Sequence, residues 1–176
     1  MEGLVGLYAG LKLRVNVAKS AVAVAWERSF LGYRFWVDPA GTIKRRVAPK
    51  ALITLKARLR EWTARSGGRS IAQVVAALRP YLAGWRAYFR LADTPRELGQ
   101  VDGWLRRRLR LLTVKQSKRG ITLFRLLRAR GISVRLAGEA AAHGKRWWAT
   151  AAHAALHTAF PNQYFDTLGI PRLGVS

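Results

Sequence analysis

The chain has 176 residues, half of them apolar, which is enough for one domain with a hydrophobic core rather than a disordered segment. Its 32 Lys and Arg against nine Asp and Glu give a formal net charge of +23, so we expect a polyanionic partner, nucleic acid first and an acidic membrane surface second. The absence of cysteine excludes disulfides and thiolate metal sites, and no apolar run or signal-peptide pattern indicates membrane insertion or export, so a cytoplasmic location is expected.

The N-terminal part predicts a small antiparallel sheet. Residues 1–10 are small and apolar and are interpreted as the end of a helix. The alternation of apolar and polar residues over 11–16 is typical of a strand, and the apolar run 21–25 could pair with it. The residues Asp38-Pro39-Ala40-Gly41 favour a turn, which makes 29–37 and 42–47 the arms of a hairpin.

Three amphipathic helices are predicted next, at roughly 50–65, 71–90 and 95–118. Pro49 suits the first turn of the first helix, and leucines recur along one face of it. Ser70 is the expected N-cap of the second helix. Pro80 removes a backbone donor inside that helix, so we expect a kink or a break near Leu78.

The third helix carries the densest local signals. Thr94 is expected to cap it, with Pro95 at the first helical position and Glu97 reaching back to the cap. A buried stripe follows at helical spacing: Leu98, Val101, Leu105, Leu109, Leu112 and Gln116. At 100° per residue, several cations are predicted to point away from that stripe: Arg106, Arg107, Arg110 and Lys118.

The cations of this region are interpreted as an RNA-binding face. Between Asp102 and Glu139 there are eleven Lys or Arg and no acid, a composition that is poor for stability and suited to holding phosphates. The alternative is an ordinary solvated helix face. We predict phosphate contacts from Arg106, Arg107, Arg110, Lys115, Lys118 and Arg119, with support from Lys50, Arg58 and Arg86.

Tyr81, Trp85, Tyr88 and Phe89 lie at helical spacing in the second helix. They could form a stacking platform for bases, but that spacing favours a core role, with Tyr81 or Tyr88 showing an edge. Trp147 and Trp148 are left open between core and surface.

Residues 120–176 predict short helices. One is bracketed by Gly120 and Gly131, Ser133 is a candidate cap for the next, and an Ala-rich stretch spans 150–160. A last turn of helix ends at Gly169, and the tail from residue 171 is expected to be frayed.

No catalytic constellation or metal site is predicted. Asp102 near the core line could bind a metal, but a structural hydrogen bond or cap is favoured. His153 and His157 could share a helix face and Zn²⁺, yet they lack a third ligand, so a surface or packed pair is preferred. Ser20 beside Lys19 has no activating histidine in view. No cofactor is therefore expected for this chain.

Five motifs, in order, resemble the C-terminal part of bacterial group II intron-encoded reverse transcriptase–maturases. Leu13-Arg14-Val15-Asn16 with Lys19-Ser20 looks like the segment after the polymerase active site, and Phe30-Leu31-Gly32-Tyr33-Arg34-Phe35 looks like the last palm motif. Residues 81–89 are similar to the YLxGWxxYF signature of the maturase-specific region, residues 102–110 to the arginine-rich helix after it, and Pro161-Asn162-Gln163-Tyr164-Phe165 with Leu168-Gly169 to the closing PNxYF…LG.

The resemblance implies an α+β, mostly α fold: a palm remnant over 1–48, a three-helix thumb or maturase bundle over 49–119, and a short-helix extension over 120–176 packed on the bundle. The structural core of the signature would comprise Tyr81, Leu82, Gly84, Trp85, Tyr88, Phe89 and Trp104. The implied function is to grip intron RNA, and the primer–template duplex in the intact protein, in support of splicing and mobility.

The sequence departs from the family pattern in three respects. The fingers and most of the palm, with the metal-binding YADD motif, are missing, so reverse transcription is not implied for this chain, and Mg²⁺ is expected only for the full-length polymerase. Where relatives often carry Trp before Lys, this chain has Val114-Lys115 and Ser117-Lys118. A Cys-bearing endonuclease tail is also missing.

Three alternatives remain open on the sequence. The chain could be one subunit of a split RNA-directed DNA polymerase, completed by a separate fingers–palm chain. It could be a decayed mobile-element fragment without function. It could also be a general DNA-binding protein.

Overall fold

Helices dominate the structure, a computed structural model that describes residues 2–12, 16, 23–64, 68–143 and 146–174. One small sheet precedes most of them, which confirms the α+β, mostly α class. In chain order the elements are α1 (Glu2–Gly10), β1 (Ser29–Phe30), β2 (Tyr33–Val37), β3 (Ile43–Val47), α2 (Pro49–Trp62), α3 (Ile71–Tyr88), α4 (Pro95–Gln116), α5 (Gly120–Ala129), α6 (Val134–Ala142), α7 (Trp147–Thr150), α8 (Ala154–Ala159) and α9 (Asn162–Thr167).

The sheet is antiparallel in the order β1-β2-β3, and the predicted hairpin is its centre. Asp38 forms the turn, because its Oδ1 accepts hydrogen bonds from the backbone N–H groups of Ala40 at 3.0 Å and Thr42 at 2.9 Å. Gly41 adopts a φ of 80°, a conformation that costs glycine little. Residues 13–15 and 21–22 of the predicted N-terminal strand pair lie outside the described residues, and Leu11 lies in a turn after α1.

The helices α2, α3 and α4 match the three predicted ones and bury their leucine faces against one another. Side chains with no measurable exposure come from each: Leu55 and Leu59, Leu78 and Leu82, Leu105 and Leu109. Pro49 occupies the first turn of α2, and Ser70 forms a capping box with Gln73 at the start of α3, as a Ser-x-x-Gln spacing allows.

Two local predictions for these helices differ from the structure. Of the kink or break expected near Leu78, the break does not occur, because α3 continues through Pro80. Pro80 lies on the exposed side of α3, where water can solvate the freed carbonyl, while the buried Leu78 and Leu82 hold the helix on both sides. Pro95 is at the first position of α4, but the Thr94 side chain makes no capping hydrogen bond within the described chain. Its ψ of 57° departs from the extended conformation that a cap needs.

The stripe predicted for α4 is buried from Leu98 to Leu112, whereas Gln116 is exposed and donates to the Arg69 carbonyl at 3.1 Å.

The C-terminal elements pack on this bundle. Ser133 caps α6 as predicted. Leu173 is buried, so the tail is not frayed as far as residue 174. None of the helices in the described ranges is long and apolar enough to cross a membrane.

Candidate nucleic-acid interface

The outward orientation predicted for Arg106 and Arg110 is wrong. Their exposed fractions are 1% and 2%. Arg106 donates to the Asp166 carboxylate and lies 3.4 Å from Asp102 Oδ1. Arg110 donates from Nε to the Phe160 carbonyl, just before the closing motif, and from Nη2 to Asn162 Oδ1 within it, both at 2.8 Å. The two guanidiniums therefore hold the closing PNxYF segment in place.

Arg106 and Arg110 point inward because α4 has a second packed face. Asp102, Arg106 and Arg110 recur every four residues and form a ridge, against which α9 and the residues after it pack. A helix covered on two sides has no outward face at this ridge. Amphipathic periodicity alone could not distinguish this polar, buried face from a solvated one.

Charges within this cluster perturb one another. Burial lowers the pKa of Arg110, and the neighbouring Arg106 lowers it further. Burial opposes ionisation of Asp166, but hydrogen bonds from Arg172 and Arg106 outweigh it and hold the pKa of Asp166 below its usual value. Asp166 is thus a carboxylate shared by two guanidiniums.

Asp102 has the structural role that was preferred over metal binding. Its carboxylate accepts from the backbone N–H groups of Leu173 at 2.9 Å and Gly174 at 3.0 Å. His153 caps α8 by accepting from the Ala155 N–H at 3.2 Å, and His157 lies within that helix. Within the part of the chain that the structure describes, no three His, Asp or Glu side chains form a group that could hold a metal.

Arg107 and Arg108 connect α4 to its other neighbours. Arg107 donates to the Trp148 carbonyl at 2.8 Å, and its guanidinium lies 4.1 Å from the centroid of the Trp148 ring. Arg108 donates to Thr63 Oγ1 at 2.6 Å, at the end of α2. Each of the four arginines in residues 106–110 therefore has a partner within the protein.

A different cationic surface lies between the end of α2, the second half of α4 and α7. Two open cavities of about 820 and 730 Å³ share Ala64 and Trp147, and we call their joint surface the basic groove. No carboxylate is among the described residues that line it. Its charged lining residues are Arg60, Arg69, Arg108, Lys115, Lys118 and Arg146.

The end of α4 places two of the predicted RNA-binding residues at the basic groove. Lys115 lies in the last turn of α4, with Nζ 5.1 Å from the Trp147 ring centroid. Lys118 has a φ of 56°, a left-handed backbone that a lysine adopts at some energetic cost, and it turns the chain towards α5. Arg119 lines an adjoining cavity of about 240 Å³ that shares Lys118 and Trp147 with the groove.

The three supporting residues lie away from the basic groove. Lys50 lines a cavity beside the sheet, together with Tyr81 and Trp85. Arg58 forms a 2.8 Å ion pair with Glu61. Arg86 lines another cavity, near the end of α3. Their contacts with RNA stay predictions.

The signature core is correct in part. Leu82 and Phe89 are buried, and Tyr81, Trp85 and Trp104 pack against the core while partly exposed. Gly84 and Tyr88 are exposed, Tyr88 to 55%, so neither belongs to the core. Tyr88 instead connects α3 to the sheet: its hydroxyl donates to the Leu31 carbonyl at 2.9 Å, and its own carbonyl accepts from the Tyr33 hydroxyl at 2.6 Å.

Sequence reasoning missed several residues of the basic groove: Arg60, Arg69, Arg108, Arg146 and Trp147. They come from four separate segments of the chain. None of the four arginines has a local sequence signal that distinguishes it from other surface cations. The two consecutive tryptophans, Trp147 and Trp148, were the one unusual feature of the sequence in this region. The structure shows Trp147 partly buried at the centre of the groove and Trp148 at its exposed wall.

The bundle and the basic groove define a cationic, mostly helical domain. Residues 52–131 match the family model of the group II intron, maturase-specific domain. The matched segment reaches from α2 to just beyond α5 and is consistent with the C-terminal maturase domain of a group II intron reverse transcriptase. It includes the signature at residues 81–89 and the arginine-rich helix at residues 102–110, and over this segment the resemblance stated from the motifs is confirmed. This domain supports a maturase-type role in group II intron splicing, with intron RNA as the implied partner. No curated protein sequence matches the chain.

Proposed function

We propose that the basic groove binds the phosphates of folded intron RNA and thereby supports splicing. The observation that carries this proposal is the convergence of cations from α2, α4 and α7 on one concave surface without a carboxylate among its described lining residues. Cations held close together repel one another, and a bound polyanion reduces that repulsion.

Phosphate contacts suit this surface better than direct reading of paired bases. The major groove of an RNA helix is too narrow for side chains, so proteins recognise RNA through its backbone, its shape and its unpaired regions. The buried Arg106 and Arg110 take no part in this binding, because they are already bonded to the closing segment.

The test is the salt dependence of binding to a structured group II intron RNA. Each lost phosphate contact reduces the slope of log affinity against log salt by about 0.7–0.9. A variant with Lys115→Gln, Lys118→Gln and Arg146→Gln is expected to reduce the slope by roughly 2–3 and to impair protein-assisted splicing.

The matched control removes the same net charge elsewhere, through Arg90→Gln, Arg96→Gln and Arg135→Gln. Arg96 lies in the first turn of α4, about 28 Å along the helix from Lys115 at 1.5 Å per residue. The control is expected to keep a slope close to that of the unmodified protein. Equal slopes in both variants, or a binding affinity independent of salt, would contradict the proposal.

Competition with duplex DNA separates intron RNA binding from general DNA binding. We expect structured RNA to compete at much lower concentration than duplex DNA of equal length, since recognition of RNA includes its shape and 2′-hydroxyls. Equal competition would favour the DNA-binding alternative. Binding of an RNA–DNA duplex and completion by a separate fingers–palm chain stay predictions from the sequence.

A further inference from the structure

The basic groove has an aromatic wall that phosphate binding leaves unexplained. Trp147 lines both of its cavities, and Trp148 lines the larger one with 39% of its surface exposed. Exposing a tryptophan on a cationic concave surface leaves a large apolar area in water. Proteins that bind single-stranded nucleic acids combine such a charged groove with aromatic rings on which bases stack.

Trp148 is fixed before any ligand arrives. Arg107 donates to its backbone carbonyl from both Nε, at 3.3 Å, and Nη2, at 2.8 Å. The same guanidinium lies 4.1 Å from the indole centroid and covers one side of the ring. Because the ring is already ordered, stacking a base on it costs less conformational entropy than ordering a free side chain would.

The chemistry of the groove selects the state of the bound nucleotides. In a duplex the base faces are stacked on one another, so only an unpaired base can offer its face to a side chain. A cavity of about 820 Å³ lies within the size range of sites that hold small ligands, and so has room for a nucleotide. Arg60 and Arg146, which line the same cavity, can contact the flanking phosphates.

We propose that the basic groove takes unpaired nucleotides of its RNA, from a loop or a bulge, with one base stacked on Trp148. This inference rests on the proposed function, because it specifies which part of the RNA enters the groove. It assigns two tasks to one surface: the cations supply affinity for any RNA backbone, and Trp148 supplies preference for unpaired segments.

The test compares two double-stranded RNAs, each annealed from two separate strands and carrying equal numbers of phosphates, one with a three-nucleotide bulge and one fully paired. Trp148→Ala is expected to weaken binding of the bulged duplex by roughly 5- to 100-fold and binding of the paired duplex by less than about twofold. Trp148→Phe should recover most of the loss, because phenylalanine retains a stacking face. The salt slope of Trp148→Ala is expected to be unchanged, since no cation is removed.

Two controls keep the outcome decisive. Trp26→Ala removes another exposed tryptophan, 47% exposed and not among the residues lining the groove, and is expected to change neither affinity. A 2-aminopurine placed in the bulge reports stacking directly: its fluorescence should fall on binding to the unmodified protein and remain high with Trp148→Ala. Circular dichroism of each variant is the check that it is folded.

If Trp148→Ala weakens binding of both duplexes equally, or leaves binding of the bulged one unaffected, the stacking proposal is wrong. The phosphate-binding proposal is then still tested by the triple glutamine variant, which is measured by the slope of log affinity against log salt. The two failures are therefore distinguishable.

Discussion

Arg106 places a permanent charge inside the protein. Its guanidinium is offset by two carboxylates, those of Asp102 and Asp166, and Asp166 is shared with Arg172. Breaking a buried ion pair costs far more than the pair itself contributes, because the remaining charge lacks a solvent shell. At the scale of single residues, substitutions within this cluster are therefore expected to be strongly destabilising.

Replacing Arg106 with alanine is expected to lower the free energy of unfolding by about 3 kcal/mol, because Asp102 loses its buried counter-charge and a cavity opens. The measurement is urea denaturation at neutral pH. Arg96→Ala is the control: it removes the same charge from the same helix at an exposed position and should change stability by less than about 0.5 kcal/mol.

The Arg106 variant also tests the correction made by the structure. If folded Arg106→Ala protein loses salt dependence of RNA binding to the extent that the groove variant does, then Arg106 contacts phosphates and its assignment to the closing segment is incomplete. We expect the slope to match that of the unmodified protein, because the guanidinium is inaccessible.

Sequence reasoning could not place Arg106, and the reason is physical. The stripe of leucines on α4 fixes one buried face, but the direction of the opposite face depends on whether another segment covers it. The relevant segment lies sixty residues further along the chain.

At the scale of elements, helix starts differ in how they are stabilised. Ser70 and Gln73 form a reciprocal capping box, with the Gln73 Oε1 accepting from the Ser70 N–H at 2.8 Å and the Ser70 Oγ accepting from the Gln73 N–H at 3.2 Å. Thr94 occupies the corresponding position before α4 without a capping bond. The sequence predicted a cap at both positions, with the fuller signal at Thr94, and the backbone conformation distinguishes them.

Ser70→Ala is therefore expected to lower the free energy of unfolding by about 1 kcal/mol, because it leaves an amide at the start of α3 without its partner. Thr94→Ala is expected to change it by less than about 0.5 kcal/mol, since no cap is lost. Thermal and chemical denaturation of the two variants check this directly. A larger loss for Thr94→Ala would show that its hydroxyl caps α4 after all.

The positions of the elements were largely predictable, and their relative placement was not. Leucine spacing located α2, α3 and α4 to within a few residues, and the turn at Asp38 located the hairpin. The basic groove arises from tertiary contacts between α4 and α7, and α7 is only four residues long. A segment that short has no periodicity from which its position could be inferred.

At the scale of the whole molecule, α4 is the common neighbour of separate parts. It packs against α3, against α7 and against α9, and Asp102 fixes the chain as far as Gly174. Elements that share one central helix lose their partners together when that helix detaches. The net charge of +23 opposes this compact state by self-repulsion.

We therefore expect one cooperative thermal transition that involves both the bundle and the C-terminal elements, with a Tm that rises as salt is increased from about 10 to 150 mM, because ions screen the self-repulsion. Calorimetry and circular dichroism should give coincident curves. A broad, non-cooperative transition would instead support the decayed-fragment alternative.

The contacts of Arg106 and Arg110 with the closing segment also have a consequence for biosynthesis. Arg106 leaves the ribosome sixty residues before Asp166, an interval of about 3–12 s at usual rates of translation. Throughout that interval its guanidinium lacks the Asp166 carboxylate and has only that of Asp102, although the helix that carries both residues can already form. The nascent protein is thus more strongly basic along α4 than the finished one. Once α9 has been synthesised, Arg106 and Arg110 become buried and bond to the closing segment.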